Sequence, residues 1–210
     1  MLFIKSELDD QINNINVVEN KTGNLGLGNK GNFIIKFKLN NKEFALANGH
    51  LTAGEKKENF DKRIMEMKDM FNDIYESRNP NIFYFITGDL NYRIELPKEK
   101  FNQICAGSPD TNVDEKQAKN KIDILNRYDQ MNQVKEIFKK EKLYEEKVTF
   151  PPTYKYNKNS TIYNGKRTPS WTDRILFKQD NNIKCIFYDT IDLYISDHKP
   201  LVGLFEINLN

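Results

Sequence analysis

The sequence has few cysteines, few histidines and almost no net charge. Its two cysteines, Cys105 and Cys185, can form neither a disulfide framework nor a cysteine-rich metal site, so we interpret both as free thiols in a reducing compartment. A net charge of +2 gives no reason by itself to expect a nucleic acid or a membrane as partner. With two histidines in 210 residues, imidazole chemistry would have to use His50 or His198.

Long apolar runs are also missing. No run approaches the length of a membrane span, and the apolar start at 1–4 breaks at once into charged residues, so no secretion signal is expected. We therefore expect a cytoplasmic protein that associates with membranes only peripherally. A length of 210 residues is enough for one large domain with its own core, and no internal repeat or linker divides it.

The apolar residues that are present predict helices and strands without regular alternation. Apolar side chains at helical spacing predict a helix over 60–74, begun by a capping box of Thr52 and Glu55. A continuous apolar run predicts a strand at 82–86 that is buried on both faces. This mixture favours a mixed-sheet α/β sandwich over a doubly wound parallel sheet. The other predicted elements are strands at 2–5, 33–37, 43–47, 173–177, 184–188 and 201–207, an Asn40-Asn41 hairpin turn, and a helical region over about 114–143.

Polar residues follow the buried strand directly. In extended backbone, Asp89 and Asn91 would project to the same side, where a carboxylate can orient or deprotonate a water and an amide can donate to a phosphoryl oxygen. Gly88 allows the backbone to approach closely, and Arg93 offers two parallel hydrogen bonds to a phosphate. The alternative is an Asx turn that simply ends the strand.

A second polar cluster is predicted at Ser196-Asp197-His198. The His198 imidazole could neutralise a phosphate or pass a proton, with a carboxylate fixing its tautomer. Asp173 is our candidate for that carboxylate. The alternatives are a turn that carries a surface histidine and an ion pair between Asp173 and Arg174.

Three weaker signals also concern anions. Asn29-Lys30-Gly31 could form a backbone nest for an anion, with an ordinary turn as the alternative. Tyr154-Lys155-Tyr156 could contact a ligand or form an edge strand with an exposed lysine. The segment 155–178 suits a polyanionic ligand, although most such charge runs are only solvated faces. Its six basic residues are Lys155, Lys158, Lys166, Arg167, Arg174 and Lys178, with Asp173 as the single acid.

Taken together, these segments resemble the inositol polyphosphate 5-phosphatase family of the endonuclease/exonuclease/phosphatase superfamily. FITGDLNYR at 85–93 and RTPSWTDRIL at 167–176 are similar to the family's two signatures. The resemblance covers about residues 2–207 and implies a DNase I-like mixed-sheet β-sandwich flanked by helices. It also implies Mg²⁺ as cofactor, and a phosphoinositide lipid headgroup or a soluble inositol polyphosphate as substrate. Shorter segments match in the same order: GNKG at 28–31, NGHL at 48–51, PTYKY at 152–156 and SDHKP at 196–200.

The resemblance implies catalytic roles for five residues. Asp89 would orient the nucleophilic water, and Asn91 would hold the scissile phosphate. His198, paired with Asp173, would contact that phosphate, and His50 would help to position it.

The resemblance also implies binding roles. Asp197 would lie near the metal. The residues that would bind the substrate's other phosphates are Arg93, Tyr154 and Lys155 for the 4-phosphate, Asn29 and Lys30 for the 1-phosphate side, and Lys166 as a further contact.

The chain departs from the family pattern in two places. Gly49 stands where the family usually has Ser. The family's domain also begins upstream of the part that matches Met1, and that upstream block carries the first strands and the Glu that is the principal metal ligand. Neither Glu7 nor Glu19 lies in a matching context. We therefore expect residues 1–210 to be a single, N-terminally truncated catalytic domain.

Two other functions remain open at this point. A catalytically impaired phosphoinositide-binding module would bind headgroups without Mg²⁺. A nuclease of the same superfamily is disfavoured by the Tyr92-Arg93 and Tyr154-Lys155 pairs, which suit clustered phosphates better than a duplex, so no nucleic acid is expected.

Overall fold

The computed structural model describes residues 2–22, 30–105 and 115–209. Within them a six-stranded mixed sheet has the strand order β1-β2-β3-β4-β6-β5, and β7 pairs with β8 in a separate two-stranded sheet. The strands are β1 (Ile12–Lys21), β2 (Gly31–Leu39), β3 (Lys42–His50), β4 (Phe83–Asp89), β5 (Leu143–Tyr144), β6 (Asp173–Lys178), β7 (Ile183–Thr190) and β8 (Leu201–Ile207). The helices are α1 (Lys57–Ile74), α2 (Lys98–Ile104), α3 (Glu115–Asn126) and α4 (Met131–Ile137), with a short 3-10 helix at Ser6–Gln11.

The two faces of the large sheet are covered by different layers. One core cluster joins the sheet to α1 and α4, with Met67 and Val134 fully buried. A second cluster lies between the other face and the β7–β8 pair, where Phe205 packs on Phe85 and Phe177 at ring-centroid distances of 5.1 and 5.0 Å. The predicted mixed-sheet α/β sandwich is therefore confirmed.

Among the described helices, none has both the length and the apolar character of a membrane span.

Several local predictions are confirmed. Asn40 and Asn41 form the turn between β2 and β3 with φ of 48° and 62°, the positive values that a tight type I′ hairpin turn requires. The apolar stripe of 60–74 is the buried face of α1. The helical region beyond 114 is divided into α3 and α4; Asp114 lies outside the described residues.

Other local predictions are wrong. No strand forms at 2–5, while β1, which lies largely exposed, was not predicted because its polar sequence carries little apolar pattern. The short elements α2 and β5 were not predicted either. The capping box does not form, since α1 begins at Lys57 without a side-chain cap. Thr52 instead donates its hydroxyl to Glu66 at 2.6 Å, because the chain ahead of the helix turns back onto it.

Candidate active site

Three strand ends bring acidic and imidazole side chains side by side. β3 and β4 are parallel and align His50 with Asp89, while β4 and β6 are antiparallel and align Asp89 with Asp173. Neighbouring strands lie about 4.8 Å apart, so the three residues form one row across the sheet edge. The sheet register therefore brings His50, Asp89 and Asp173 together, although more than a hundred residues separate the first from the last.

His198 extends this row through its hydrogen bond to Asp173. Its Nδ1 lies 2.9 Å from Asp173 Oδ2, which confirms the predicted pairing. Burial acts to lower the pKa of His198, but the hydrogen bond and charge of Asp173 outweigh burial, and the pKa is raised. The alternative of an ion pair between Asp173 and Arg174 is wrong, because Arg174 turns to Asp129 and Glu145 in the core.

Two threonines that the sequence analysis missed fix the Asp173 carboxylate. Thr153 Oγ1 donates to Asp173 Oδ2 at 2.7 Å, and Thr172 Oγ1 donates to the same oxygen at 3.0 Å. Both lie inside segments already singled out, directly beside Tyr154 and Asp173. For Thr172, the position directly before the proposed carboxylate Asp173 was the signal available in the sequence, whereas Thr153 lies twenty residues from Asp173 and had no such signal.

Asp89 lies between groups that act on its charge in opposite directions. Burial raises its pKa and the nearby Asp173 carboxylate raises it further, while the cationic groups of His198, His50 and Lys30 lower it; the net shift is upward. Asp89 Oδ2 lies 3.3 Å from His50 Nε2. A carboxylate with a raised pKa is suited to accept a proton.

Lys30 lies within this cluster. Its ammonium contacts His50 Nε2, and burial lowers the pKa of Lys30. Burial also lowers the pKa of His50, and the charge of Lys30 adds to that shift. The resemblance placed Lys30 toward the 1-phosphate side, whereas the structure places it beside His50 and Asp89. Asn29, its predicted partner, lies outside the described residues.

Asp89 and Asn91 are joined by a turn. Asn91 has φ 57°, and its backbone N–H donates to Asp89 Oδ1 at 3.1 Å. The Asx turn therefore forms, and the assumption of extended backbone through Asn91 is wrong. Gly88 is required for the entry into this turn, because its φ is 123° and a Cβ there would lie 2.1 Å from the Gly49 carbonyl oxygen.

Asn91 anchors two parts of the site. Its Nδ2 donates to the Leu51 carbonyl at 3.0 Å, and its Oδ1 accepts from Arg93 Nη2 at 2.5 Å. The side chain is buried and so links the loop after His50 to the guanidinium of Arg93. Its observed contacts are those of a positioning amide.

The Arg93 guanidinium is buried with one donor unsatisfied. It lies 5.0 Å from the ring centre of Tyr154, and that ring lies 4.4 Å from the His198 imidazole. Arg93 Nη1 has no hydrogen-bond partner among the described residues. A buried unpaired donor is costly, and an anion bound here would remove the cost.

Lys155 and Asp197 form an ion pair at 2.9 Å, and the hydrogen bond from Lys155 lowers the pKa of Asp197. This contact uses the carboxylate that was predicted to lie near a metal. Lys166 is exposed, and its described polar contact is made by its backbone N–H to Asn164. The structure therefore brings Lys155 to the site and leaves Lys166 in solvent.

The fit of a divalent cation can be tested on these side chains. In the described part of the chain, no group of three or more His, Cys, Asp or Glu side chains is placed to hold a metal. Mg²⁺ binds proteins through few carboxylates and takes further oxygens from substrate phosphate and water. The described side chains therefore do not complete a metal site by themselves.

The mixed sheet, its covering layers and the carboxylate–imidazole row define a DNase I-like sandwich with a site of hydrolase type. The chain belongs to endonuclease/exonuclease/phosphatase family 2, whose family model matches residues 1–204. It is 32% identical over 218 residues to inositol-1,4,5-trisphosphate 5-phosphatase 1 of Schizosaccharomyces pombe, covering 100% of this chain and 19% of that protein. It is also 32% identical over 236 residues to phosphatidylinositol 3,4,5-trisphosphate 5-phosphatase 2 of Homo sapiens, covering 99% of this chain and 17% of that protein. The chain thus spans about a fifth of the length of these curated relatives.

Solved structures show the same fold. The inositol polyphosphate 5-phosphatase domain of spsynaptojanin, in complex with inositol (1,4)-bisphosphate and calcium ion, has a TM-score of 0.77 at 29% identity, covering 96% of this chain and 56% of that one. A Cimex nitrophorin ferrous NO complex has a TM-score of 0.73 at 24% identity, covering 98% of this chain and 68% of that one. The nitrophorin likeness shows the fold alone, since one fold hosts unrelated functions.

Proposed function

We propose that this chain is part of the catalytic domain of a 5-phosphatase. Its substrates would be phosphoinositides such as phosphatidylinositol 4,5-bisphosphate, or soluble inositol polyphosphates. The observation that carries the proposal is the row of His50, Asp89 and Asp173, with His198 on Asp173. The 5-phosphatases among the relatives support the reaction class, and the bisphosphate in the spsynaptojanin complex supports the ligand class.

The reaction proceeds by direct attack of water on phosphorus. Asp89 orients the water and accepts its proton, as its raised pKa favours. His198 Nδ1 is held by Asp173, so Nε2 is the ring nitrogen left to donate to the scissile phosphate. The new oxygen–phosphorus bond forms as the bond to the inositol 5-oxygen breaks. The leaving oxygen takes up a proton from solvent, and Asp89 returns the proton of the attacking water to solvent. The products are inorganic phosphate and a free 5-hydroxyl.

Substrate selection falls to the groups beside this row. The unsatisfied Nη1 of Arg93 supplies a donor for the phosphate next to the scissile one, and Tyr154 and Lys155 border it. Nε and Nη2 of Arg93 already donate to Asn91, so Nη1 would add a charge-assisted hydrogen bond to that phosphate from a guanidinium whose orientation is already fixed.

Mg²⁺ is part of the proposal, and Asp197 would be the residue of this chain that helps to hold it. The calcium ion in the spsynaptojanin complex supports a hard, oxygen-seeking cation. Binding at Asp197 competes with its ion pair to Lys155. The ion would neutralise charge on the phosphate.

We also propose a cytoplasmic location with peripheral membrane contact.

The test is phosphate release from two substrates by the full chain, with Mg²⁺ and with EDTA. The substrates are inositol 1,4,5-trisphosphate in solution and phosphatidylinositol 4,5-bisphosphate in vesicles. Asp89→Asn is expected to lower release about 10²- to 10⁴-fold, the usual contribution of a general base. Asp69→Asn on the exposed face of α1 is the matched control and should retain activity. A rate of phosphate release that is changed neither by EDTA nor by Asp89→Asn would overturn the mechanism.

A non-catalytic phosphoinositide-binding module is the second candidate. It is favoured by the absence of a three-ligand metal group among the described residues. This function predicts headgroup binding that is equal with Mg²⁺ and with EDTA, together with no phosphate release in either. Isothermal titration with inositol 1,4,5-trisphosphate distinguishes the two functions.

A further inference from the structure

A cavity of about 420 Å³ lies at the end of the large sheet opposite the candidate active site, and we call it the far-end cavity. Lys178, which lines it, is the last residue of β6, whereas Asp173 at the candidate active site is the first. A strand rises about 3.3 Å per residue, so the Cα atoms of these two residues lie about 16 Å apart. The far-end cavity is therefore separate from the carboxylate–imidazole row.

Positive side chains dominate the wall of the far-end cavity. Arg78, Lys140 and Lys142 line it and are exposed, and no described acidic residue forms an ion pair with these three. Lys178 lines it as a buried residue. Glu141 is the acidic residue that the structure describes in the lining. Four cations against one acid leave an excess of three positive charges, which favours an anion.

The Lys178 ammonium is fixed by two backbone carbonyls. Its Nζ donates to the Pro80 carbonyl at 2.6 Å and to the Ile82 carbonyl at 3.2 Å. Burial lowers the pKa of Lys178; Asp180 acts against this, the charge of Lys142 adds to it, and the net shift is downward. An ammonium has three donors, so one N–H is left for a ligand. A bound anion would also offset the repulsion between the two lysines.

Hydrogen bonds join the segments that form the wall. The Tyr84 hydroxyl donates to the Glu141 carbonyl at 2.8 Å, and the Tyr75 hydroxyl donates to the same carbonyl at 3.4 Å. The Gln179 N–H donates to the Lys142 carbonyl at 2.7 Å. The end of α1, the turn before β5 and the end of β6 are therefore held together, and the cavity is formed before a ligand binds.

The volume and the charge of the cavity indicate the size of its ligand. Pockets for small molecules have volumes of about 300–1,000 Å³, so the far-end cavity has room for more than one phosphate group. A phosphate monoester carries about two negative charges at neutral pH. Two linked phosphate groups therefore match the excess of three positive charges better than one does.

We propose that the far-end cavity is a binding site for a small diphosphate. Arg78, Lys140 and Lys142 would donate charge-assisted hydrogen bonds to the phosphate oxygens, and Lys178 would add its third N–H from the wall. The inference goes beyond the proposed function and does not depend on it, because no residue that lines this cavity belongs to the candidate active site.

The test is a titration of the full ¹⁵N-labelled chain with pyrophosphate, followed by the chemical shifts of its amides. Saturable shifts are expected at 75–82 and 139–142, while amides at 88–93 report separately on the candidate active site. Inorganic phosphate should bind about tenfold more weakly, since it offers fewer charge-assisted hydrogen bonds. ADP that shifts the same amides would assign a nucleoside diphosphate as the ligand, and its failure to do so would assign the free diphosphate.

Two substitutions that suit the local backbone remove part of the positive charge. Arg78 and Lys142 have φ of 55° and 58°, values that asparagine tolerates. Arg78→Asn combined with Lys142→Asn should weaken pyrophosphate binding about tenfold or more, from the loss of two charge-assisted hydrogen bonds. The matched control is Lys62→Gln combined with Lys119→Gln at exposed positions of α1 and α3, which changes the net charge equally and should bind as the wild type does.

Glu141→Gln should act in the opposite direction. It removes the negative charge from the lining, so pyrophosphate should bind about two- to fivefold more tightly, the range of a single exposed charge interaction. An equal loss of affinity in the control pair would overturn the inference. So would a wild-type chain in which pyrophosphate causes no saturable shifts at 75–82 and 139–142, or causes shifts only at 88–93.

Discussion

At the scale of single residues, the site combines a buried cation with an unfulfilled hydrogen bond. Arg93 is held by Asn91 through Nε and Nη2 and by the Tyr154 ring, so its position is set before any ligand arrives. Burial lowers the pKa of Arg93. A buried guanidinium donor without a partner lowers the stability of the fold. A bound anion that accepts this hydrogen bond would remove that cost.

Arg93→Lys should therefore distinguish substrates by the phosphate beside the scissile one. Lysine keeps the charge but offers a point donor in place of a planar fork. We expect kcat/KM to fall at least tenfold on phosphatidylinositol 4,5-bisphosphate and much less on phosphatidylinositol 5-phosphate. Phosphate release from vesicles of each lipid measures this. An equal loss on both substrates would show that Arg93 does not read the neighbouring phosphate.

At the scale of elements, β6 serves the site and the core with consecutive residues. Asp173 faces His198, while Arg174 is almost fully buried and pairs with Asp129 at 2.6 Å and Glu145 at 3.1 Å. Burial opposes the charge of Arg174, but the two acids outweigh burial and raise its pKa. Tyr188 from β7 donates to Glu145 at 2.8 Å, so this buried network also links the two sheets.

Arg174→Met should destabilise the chain by about 3–5 kcal/mol, the usual result of removing one partner from a buried ion pair. Asp129 and Glu145 would be left buried without a counter-charge. Urea unfolding followed by circular dichroism measures the change, with exposed Arg167→Met as the control, expected within about 0.5 kcal/mol of the wild type. A midpoint for Arg174→Met that matches the control would mean that the network contributes little.

At the scale of the whole molecule, the two layers that cover the large sheet are unequal. Helix α1 buries Met67, Met70 and Ile74 completely. The β7–β8 pair leaves Phe187 and Leu204 about half exposed, at 50% and 58%. A net charge of only +2 offers little repulsion between copies.

The chain should therefore self-associate through β7 and β8 as its concentration rises. Phe187→Ser combined with Leu204→Ser should shift sedimentation velocity profiles toward the monomer, because these apolar side chains would no longer be buried between copies. Met65→Ser, at a similarly exposed site on α1, should leave the profile of the wild type unchanged. Association that survives the double substitution would place the contact elsewhere.

Local patterns in the sequence were enough for a large part of this fold. The Asn40-Asn41 hairpin turn, the buried face of α1 and the apolar run of β4 depend on neighbours in the chain, which periodicity and turn chemistry describe. The motif segments likewise contained Asp89, Asp173 and His198. The capping box at Thr52 failed because Glu66, fourteen residues away, competes for the threonine hydroxyl, and such contacts leave no local pattern.

The sequence by itself determined which chemical groups are available and which segments carry the apolar patterns of helices and buried strands, because these depend on composition and spacing. Only the tertiary structure decided how they meet: that Asp173 pairs with His198 and not with Arg174, that Lys30 reaches His50, and that Arg93 Nη1 has no hydrogen-bond partner among the described residues. The physical reason is that strand register and long-range packing set these contacts. A shift of one residue in the pairing of β4 with β6 would turn Asp173 to the opposite face of the sheet.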